Sequence, residues 1–511
     1  MPAKNSKLYV IGVDSAPLWI VKGFAKIYHL KGFETLLKEG NLLDMQSTLP
    51  PLTPVAWPTI YTGLEPREHG MMDFFAIDKE YTKQLLYFDS DKHTPFWDAL
   101  AAKGKKCLVI TPAESLKLSK SKNVDLITGW PLAPRFSSKQ IDSAAKKFGF
   151  NGEPDIEKGL REGTITVSEA SKRYVKSMQS RAELSKHLIT KNKYDMAFVC
   201  FTETDRIQHF SLNNKNWEEY VMPLYKSVSD FIEWVILRAK KEGAAVIVVS
   251  DHGAQPIKKK FLLNAWLVNS GYAELKPAII KSIQDSYNKS GESEAQANLK
   301  YSLREKLIKS KARGMLYDKL PASAKRLVGK AIGTALSSGS GATYTHIHDF
   351  DFEMKGTVAF TSVSNDPVGM IWINDRRFSK PNVKDSEKRK IKAEIAGRLR
   401  EIKTEDGKPL VTKIYDGDEY YKNTKLFIAP DLLVALREGY VADVKNYSLN
   451  TLFMEPELAK SGDHMMNGIF GSIGQFDSKK IKRGVSVLNV EPTILKYFGI
   501  KCEHSDRSLI K

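Results

Sequence analysis

The chain has 511 residues, 42% hydrophobic and 27% charged, a composition that excludes a mainly disordered protein, and its net charge of +18 indicates anionic partners. No run approaches the roughly 18 apolar residues that a membrane-spanning helix needs, and Asp14 interrupts the short apolar run near the N-terminus, which excludes a signal peptide. Three cysteines without CxxC spacing argue against a disulfide framework and a zinc–thiolate site, so we predict a reduced, cytoplasmic protein.

Three apolar, β-branched runs predict buried parallel strands: LYVIGV (8–13), MAFVCF (196–201) and AAVIVV (244–249). The residues before Gly243 have helical spacing, so strand, helix and strand form a βαβ unit. Further along, 385–402 is an amphipathic helix, and SVLNVEPTILKYFGI predicts a strand followed by a helix. The order indicates an α/β fold with a doubly wound, mostly parallel sheet flanked by helices.

A basic segment, 256–345, differs from the rest of the chain. It carries 16 Lys and Arg against 6 Asp and Glu, so it supplies +10 of the net charge. We interpret it as a mostly helical insertion, a candidate cap, on a catalytic core made of 1–255 and 346–511. Its charge fits a solvated helical surface, or a patch for a phosphate-rich substrate or an anionic membrane surface. The sequence contains no basic run interleaved with aromatics, the pattern that would indicate specific nucleic-acid binding.

An aspartate follows each of the three clearest strands. Asp14 follows the first, Asp205 lies just past the second, and Asp251 follows the third. Ligands of open α/β sheets bind outside the carboxyl ends of the strands. Three carboxylates at that edge would repel one another unless cations neutralised them, so this pattern predicts a metal site.

Three histidines extend the predicted metal site. His209 lies four residues after Asp205, on the same face if that segment is helical, and His252 is adjacent to Asp251. His464 lies in the glycine-flanked stretch SGDHMMNG. Six Asp and His ligands exceed what one tetrahedral ion uses, so we expect two ions, as in many enzymes of phosphoryl transfer.

A competing metal pair is His346 and His348 in THIHDFD. Both imidazoles would share one face of an extended chain, but the segment does not follow a predicted strand and adjoins the insertion. A polar turn is the simpler interpretation of this stretch.

The stretch LPPLTPVAWPTIYTGLEPREHG (49–70) holds the candidate nucleophiles. Its Pro, Thr and Gly residues predict a tight turn that enters a helix. A hydroxyl at a helix N-terminus beside a divalent cation is activated by both the helix dipole and the metal. Composition alone leaves Thr53, Thr59 and Thr62 as candidates.

The order of these motifs resembles the type I phosphodiesterase/nucleotide pyrophosphatase branch of the alkaline phosphatase superfamily. In that family the nucleophilic Thr or Ser lies nine residues before TG, followed by P and HG. Here Thr53 precedes Thr62 and Gly63 by that spacing, followed by Pro66 and by His69 and Gly70. The motifs D14, DRIQH (205–209), SDHG (250–253) and GDH (462–464) come in the family order and cover essentially the whole chain outside the insertion.

The resemblance implies an alkaline phosphatase-like fold and a function for each site residue. Asp14, Thr53, Asp251 and His252 would hold one ion, and Asp205, His209 and His464 the other; the ions would be zinc, with manganese as the alternative. Thr53 would attack phosphorus to form a covalent phospho-threonine. Two positions depart from the family: Ala56 replaces the Asn of nucleotide pyrophosphatases, and Pro54 has no N–H to offer the phosphoryl group.

We therefore predict a metal-dependent phosphoester hydrolase that acts on small phosphodiesters or pyrophosphates. Two alternatives stay open: a phosphotransferase or phosphomutase of the same superfamily, and a metal-binding scaffold without turnover. A sulfatase is set aside, because the sequence around Cys107 lacks that branch's C-x-P-x-R-like site. The sequence does not indicate an oligomeric state.

Overall fold

The computed structural model describes residues 7–115, 117–152, 154, 156–289, 344–345, 351–361, 367–448, 451–456, 460–474, 476, 481 and 484–510. The chain folds into two compact units. Unit 1 consists of Met1–Phe74, Leu85–Ile257 and Glu457–Lys511, and unit 2 of Phe75–Gln84 and Lys258–Pro456. Most of the predicted insertion, and both His346 and His348, lie outside the described residues, so the insertion and its boundaries stay a prediction.

The strands of the described residues are, in chain order, β1 (Leu8–Val13), β2 (Asn41–Gln46), β3 (Phe75–Ile77), β4 (Lys83–Leu85), β5 (Cys107–Ile110), β6 (Val124–Ile127), β7 (Met196–Phe201), β8 (Ala245–Val249), β9 (Gly253–Pro256), β10 (Lys259–Leu262), β11 (Tyr344–Thr345), β12 (Ala359–Phe360), β13 (Val368–Ile373), β14 (Val411–Asp416), β15 (Leu432–Leu436), β16 (Tyr440–Asp443), β17 (Asn446–Tyr447), β18 (Phe453–Met454), β19 (Gly462–Met465), β20 (Asn467–Ile473) and β21 (Val485–Ser486).

The helices of the same residues are α1 (Leu18–Tyr28), α2 (Lys31–Glu39), α3 (Thr53–Thr62), α4 (Pro66–His69), α5 (Phe96–Ala101), α6 (Lys139–Lys147), α7 (Glu157–Arg161), α8 (Val167–Lys191), α9 (Glu203–Ser211), α10 (Trp217–Glu242), α11 (Leu263–Asn269), α12 (Pro277–Lys289), α13 (Asp385–Arg400), α14 (Gly417–Tyr420) and α15 (Val490–Tyr497). Short 3-10 turns cover Val487–Asn489 and Ser505–Arg507.

Unit 1 is built on an eight-stranded sheet in the order β21–β2–β20–β8–β1–β7–β5–β6. Strand β20 runs antiparallel to both of its neighbours, and every other pair in the sheet is parallel. The predicted mostly parallel sheet is therefore confirmed, and the three strands predicted from apolar runs, β1, β7 and β8, lie at its centre.

Both faces of this sheet are covered by helices, which explains why its central strands are apolar without alternation. Along β1, Tyr9, Ile11 and Val13 belong to the core cluster that includes residues of α1, α8 and α10. Leu8 and Val10 point to the opposite cluster, which includes residues of α3, α5 and α15. The predicted doubly wound arrangement, with helices on both faces, is confirmed.

Unit 2 contains an antiparallel sheet in the order β12–β13–β15–β14 and a smaller one in the order β16–β10–β18. All six residues of its strand β13 are buried, whereas those of β14 are mostly exposed or half-buried. None of the helices described here is both long enough and apolar enough to span a membrane.

Candidate active site

The candidate site lies in unit 1, at the carboxyl ends of three adjacent strands. In the order β8–β1–β7, the chain leaves β8 at Ser250 and reaches Asp251 and His252, and it leaves β1 at Asp14. After β7 a single residue precedes α9, which carries Asp205 and His209. Because parallel strands end at the same edge, three stretches far apart in sequence deliver their acids to one place.

The first group is formed by Asp14, Asp251 and His252, all of which are fully buried. His252 Nε2 lies 3.1 Å from Asp251 Oδ2 and 3.7 Å from Asp14 Oδ1. The backbone N–H of Ser15 donates to Asp251 Oδ1 at 3.2 Å, which fixes that carboxylate. The three side chains thus offer ligand atoms to one point between them.

The second group is centred on Asp205. Its Oδ2 lies 3.3 Å from His209 Nε2, and its Oδ1 lies 3.5 Å from His464 Nε2. His464 lies on β19. This strand pairs antiparallel with β9, and β9 begins at the residue after His252. The ring centroids of His464 and His252 are 4.2 Å apart, so the two groups adjoin.

The hydrogen bonds of two histidines define which ring nitrogen faces the acids. Nδ1 of His209 donates to the Gly462 carbonyl at 2.9 Å, and Nδ1 of His252 donates to the Gly253 carbonyl at 3.1 Å. A carbonyl can only accept, so in the neutral ring Nε2 carries a lone pair. Both Nε2 atoms therefore present acceptors to carboxylate oxygens, an arrangement that requires a cation or an added proton between them.

The surroundings of two carboxylate oxygens indicate a cation site. Asp14 Oδ1 and Asp251 Oδ2 are buried and accept no hydrogen bond from any residue that the structure describes. A buried carboxylate oxygen without a donor is costly. Oxygen and imidazole ligands in this combination suit zinc or a similar divalent ion. The residues present therefore fit the metal site that the sequence predicts.

The two groups differ in their electrostatics. Burial, followed by the negative charges of Asp251 and Asp205, raises the pKa of Asp14 well above its usual value. Burial also acts to raise the pKa of Asp205, but His209 and His464 outweigh it and lower that pKa well below its usual range. The two aspartates of the first group thus repel each other without a cation, whereas in the second group positive charge on the imidazoles, the added proton between Nε2 and the carboxylate, favours the ionised form of Asp205.

The three threonine candidates occupy different environments on α3. Thr53 is its first residue, and its hydroxyl lies 3.2 Å from His252 Nε2. The Thr59 hydroxyl donates to the Val55 carbonyl within the helix at 3.1 Å, and that of Thr62 donates to the Pro58 carbonyl at 2.7 Å. Among the three, Thr53 is the one whose hydroxyl contacts a residue of the candidate site.

Two residues at the site were not predicted as part of it. Asp463 is fully buried, and its Oδ1 lies 3.8 Å from His464 Nδ1, on the ring edge away from Asp205. Trp57 donates its indole N–H to Asp14 Oδ2 at 3.1 Å. An acid directly before a predicted ligand was the available signal for Asp463, whereas only the fold brings Trp57 to Asp14.

The mostly parallel α/β sheet, with acids and histidines gathered beyond its strand ends, agrees with the alkaline phosphatase-like fold that the sequence resemblance implies. The chain belongs to the type I phosphodiesterase/nucleotide pyrophosphatase family, whose model matches residues 8–464. It is therefore a phosphoester hydrolase of the phosphodiesterase and pyrophosphatase type, as predicted. No curated protein matches the chain in sequence.

Two solved structures of one phosphonoacetate hydrolase confirm the fold. Phosphonoacetate hydrolase from Sinorhizobium meliloti 1021 superimposes with a TM-score of 0.55 at 13% identity in complex with phosphonoacetate, and with 0.54 at 12% in complex with phosphonoformate. Both matches cover 96% of this chain and 94% of that chain. Murine ectonucleotide pyrophosphatase/phosphodiesterase 5 matches at 12% identity over 97% and 96%, with a TM-score of 0.47. At these identities the likeness concerns the fold alone.

Proposed function

We propose that the enzyme hydrolyses small phosphodiesters or pyrophosphates with two divalent ions, through a covalent ester on Thr53. The observation that carries the proposal is the contact of the Thr53 hydroxyl with His252, one of the residues that hold the first group together. Asp14, Asp251 and His252, with Thr53 itself, would bind one ion, and Asp205, His209 and His464 the other. Zinc fits this set of ligands best, with manganese as the alternative.

Two divalent ions at such a site supply charge neutralisation of the phosphoryl oxygens and favour the ionised form of a neighbouring hydroxyl or water. Thr53, at the N-terminus of α3, is also favoured as an alkoxide by the helix dipole. Its hydroxyl loses its proton to solvent. Thr53 Oγ1 then forms a bond to phosphorus while the bond to the leaving alkoxide or phosphate breaks, the leaving group takes up a proton from solvent, and water later cleaves the Thr53–phosphorus ester and restores the hydroxyl.

The N-terminus of α3 offers few backbone donors to the transferred group. Pro54 has no N–H, and the amides of Val55 and Ala56 both donate to the Leu52 carbonyl, at 2.9 and 2.8 Å. Ala56 has no side-chain amide to replace them. The negative charge of the phosphoryl group must therefore be stabilised mainly by cations, which supports metal dependence. The absence of the family's Asn here argues for a substrate other than a nucleotide.

An acid-quench experiment tests the covalent step. The enzyme would be mixed with bis(4-nitrophenyl) phosphate and quenched within one turnover, and the peptide that contains Thr53 would be analysed by mass spectrometry. We expect a nitrophenyl phosphate adduct on Thr53 that is absent in Thr53→Ala. Turnover without any adduct, or an adduct on Thr59, would contradict the proposal.

The same reaction separates the remaining alternatives. Added ethanol or glycerol should leave the release of 4-nitrophenyl phosphate unchanged for a hydrolase and should give the mixed alkyl 4-nitrophenyl phosphate diester for a transferase. A scaffold should show no turnover with any metal. We further propose that the substrate is small and that the basic residues of 256–345 attract anionic substrates or surfaces. Because the chain has few cysteines and no CxxC spacing, we also propose that the enzyme acts in the cytoplasm.

A further inference from the structure

We infer that Trp57 is a positioning residue of the metal site: its indole N–H fixes Asp14 and so holds the start of the Thr53 helix against the first group. The inference rests on the proposed function, because it assigns a task to Trp57 only if Asp14 binds an ion. Trp57 lies four residues after Thr53, on the same face of α3.

The two carboxylate oxygens of Asp14 have different surroundings. The indole N–H donates to Oδ2 at 3.1 Å, whereas Oδ1 accepts no hydrogen bond from any described residue and lies 3.7 Å from His252 Nε2. Both side chains are buried, Trp57 completely, so water cannot replace the indole without a rearrangement. Trp57 thus sets the orientation in which Oδ1 faces the first group. A donor behind a carboxylate ligand orients it and tunes its affinity for the ion.

The indole is held in place from several sides. A Cβ added at Gly12 would lie 2.7 Å from the Trp57 ring, so only glycine at this position of β1 lets the ring approach the strand. The ring also packs on Tyr61 at 5.8 Å and on Phe198 at 6.2 Å between centroids. Tyr61 is fixed in turn, because its hydroxyl donates to the Ala113 carbonyl at 3.1 Å. These contacts leave the indole one orientation, the one that reaches Asp14.

The start of the Thr53 helix has few hydrogen bonds of its own. The amides of Val55 and Ala56 share the Leu52 carbonyl, and Pro58 interrupts the hydrogen bonding of the helix one turn later. Trp57 connects this helix to the end of β1 through a side-chain hydrogen bond between buried groups. Loss of that bond should therefore weaken the binding of an ion by the first group and displace Thr53. The second group should keep its own ligands.

The experiment compares three variants of the full chain, stripped of metal and titrated with Zn²⁺ by calorimetry. Trp57→Phe removes the N–H donor and part of the ring. Replacement of Trp57 by 3-benzothienylalanine keeps the bicyclic shape and removes the donor alone, so it decides the question even if the phenylalanine variant fails to fold. Trp97→Phe is the matched control, since Trp97 is equally buried and packs on Tyr61 at 4.9 Å and on Phe198.

We expect both Trp57 variants to bind one Zn²⁺ about 10- to 100-fold more weakly and the other as the wild type does. High Zn²⁺ should restore much of their turnover of bis(4-nitrophenyl) phosphate, and Trp97→Phe should keep both affinities. Equal Zn²⁺ affinities in the wild type and the benzothienyl variant would overturn the inference and leave the proposed function intact. A wild type that binds no Zn²⁺ and turns over without it would instead contradict the proposed function.

Discussion

His209 turns Nε2 toward Asp205, 3.3 Å away, because its Nδ1 proton is donated to the Gly462 carbonyl. The two side chains lie one helical turn apart on α9, so the helix itself supplies two of the three residues of the second group. A lone pair that faces a carboxylate is the arrangement expected of a histidine that binds a cation, and it makes His209 the most direct ligand to test.

His209→Ala should remove one of two bound ions and lower kcat by at least about a hundredfold, since the loss of even an indirect partner of a ligand costs 10- to 100-fold. Metal content by atomic absorption and turnover of a nitrophenyl diester measure the two effects. His29→Ala is the control, because the His29 side chain is exposed and contacts Glu34 on the surface. A variant that keeps two ions and full activity would exclude His209 as a ligand.

Thr53→Ala should lower kcat by at least roughly a thousandfold, because removal of a nucleophile leaves only the contributions of binding and charge. Thr53→Ser should retain part of the activity. Thr59→Ala should keep turnover, since the Thr59 hydroxyl bonds to its own helix and to His69 at 2.9 Å. The opposite ranking of Thr53→Ala and Thr59→Ala would show that the nucleophile lies elsewhere on α3.

Asp463→Asn should weaken Zn²⁺ binding 10- to 100-fold without changing the number of ions. The physical reason is the hydrogen bond from the backbone N–H of His464 to Asp463 Oδ1 at 2.8 Å, which orients the His464 residue, together with the buried negative charge of Asp463, which lies 3.8 Å from His464 Nδ1 and favours a cation at this ring. Calorimetric titration measures this affinity. Asp230→Asn, an exposed acid paired with Lys226, is the matched control. If both variants bind Zn²⁺ equally, Asp463 is a packing residue.

Glu114 predicts a pH dependence of stability. Its side chain is 2% exposed, and burial raises its pKa to about 8. An unfolded glutamate titrates near pH 4.3, so between about pH 4.3 and 8 the folded state keeps a proton that the unfolded chain releases, and the free energy of unfolding falls as pH rises. At pH 8 Glu114→Gln should therefore have a larger free energy of unfolding than the wild type, by up to a few kcal/mol, and a higher Tm.

At pH 5 the difference in Tm should be much smaller, because pH 5 is less than one unit above the pKa of the unfolded carboxyl, and the stability lost by the wild type grows by about 1.4 kcal/mol per pH unit from there to pH 8. Thermal unfolding at both pH values, followed by circular dichroism, checks the sign. An equal difference in Tm at pH 5 and pH 8 would mean that Glu114 does not titrate between the folded and unfolded states in this range.

The central strands could be predicted because burial on both faces demands continuous apolar runs, as in Ala245–Val249. The outer strands could not. Asn41–Gln46 and Asn467–Ile473 contain polar residues and glycines, and their place in the sheet is set by the pairing of the first with the second and of the second with β8. Pairing over more than 400 residues of chain leaves no local pattern.

For the site, residue types and strand ends were enough to predict which acids and histidines the fold brings together, while their function as metal ligands stays a prediction. Trp57 shows what sequence reasoning missed. An indole has many uses in a core, and its approach to Asp14 depends on Gly12 and on the packing of α3, which only the folded chain defines. The site residues thus followed from chemistry, and the groups that orient them followed from packing.

Turnover should require two ions, one held by the first group around Asp14 and one by the second group around Asp205. The most direct measurement is a Zn²⁺ titration of the metal-free enzyme, with bound zinc and hydrolysis of bis(4-nitrophenyl) phosphate followed on the same samples. Activity should be absent without metal and should rise in step with occupancy until two ions are bound per chain. Full turnover in the metal-free enzyme, or saturation of activity at one ion, would contradict the account.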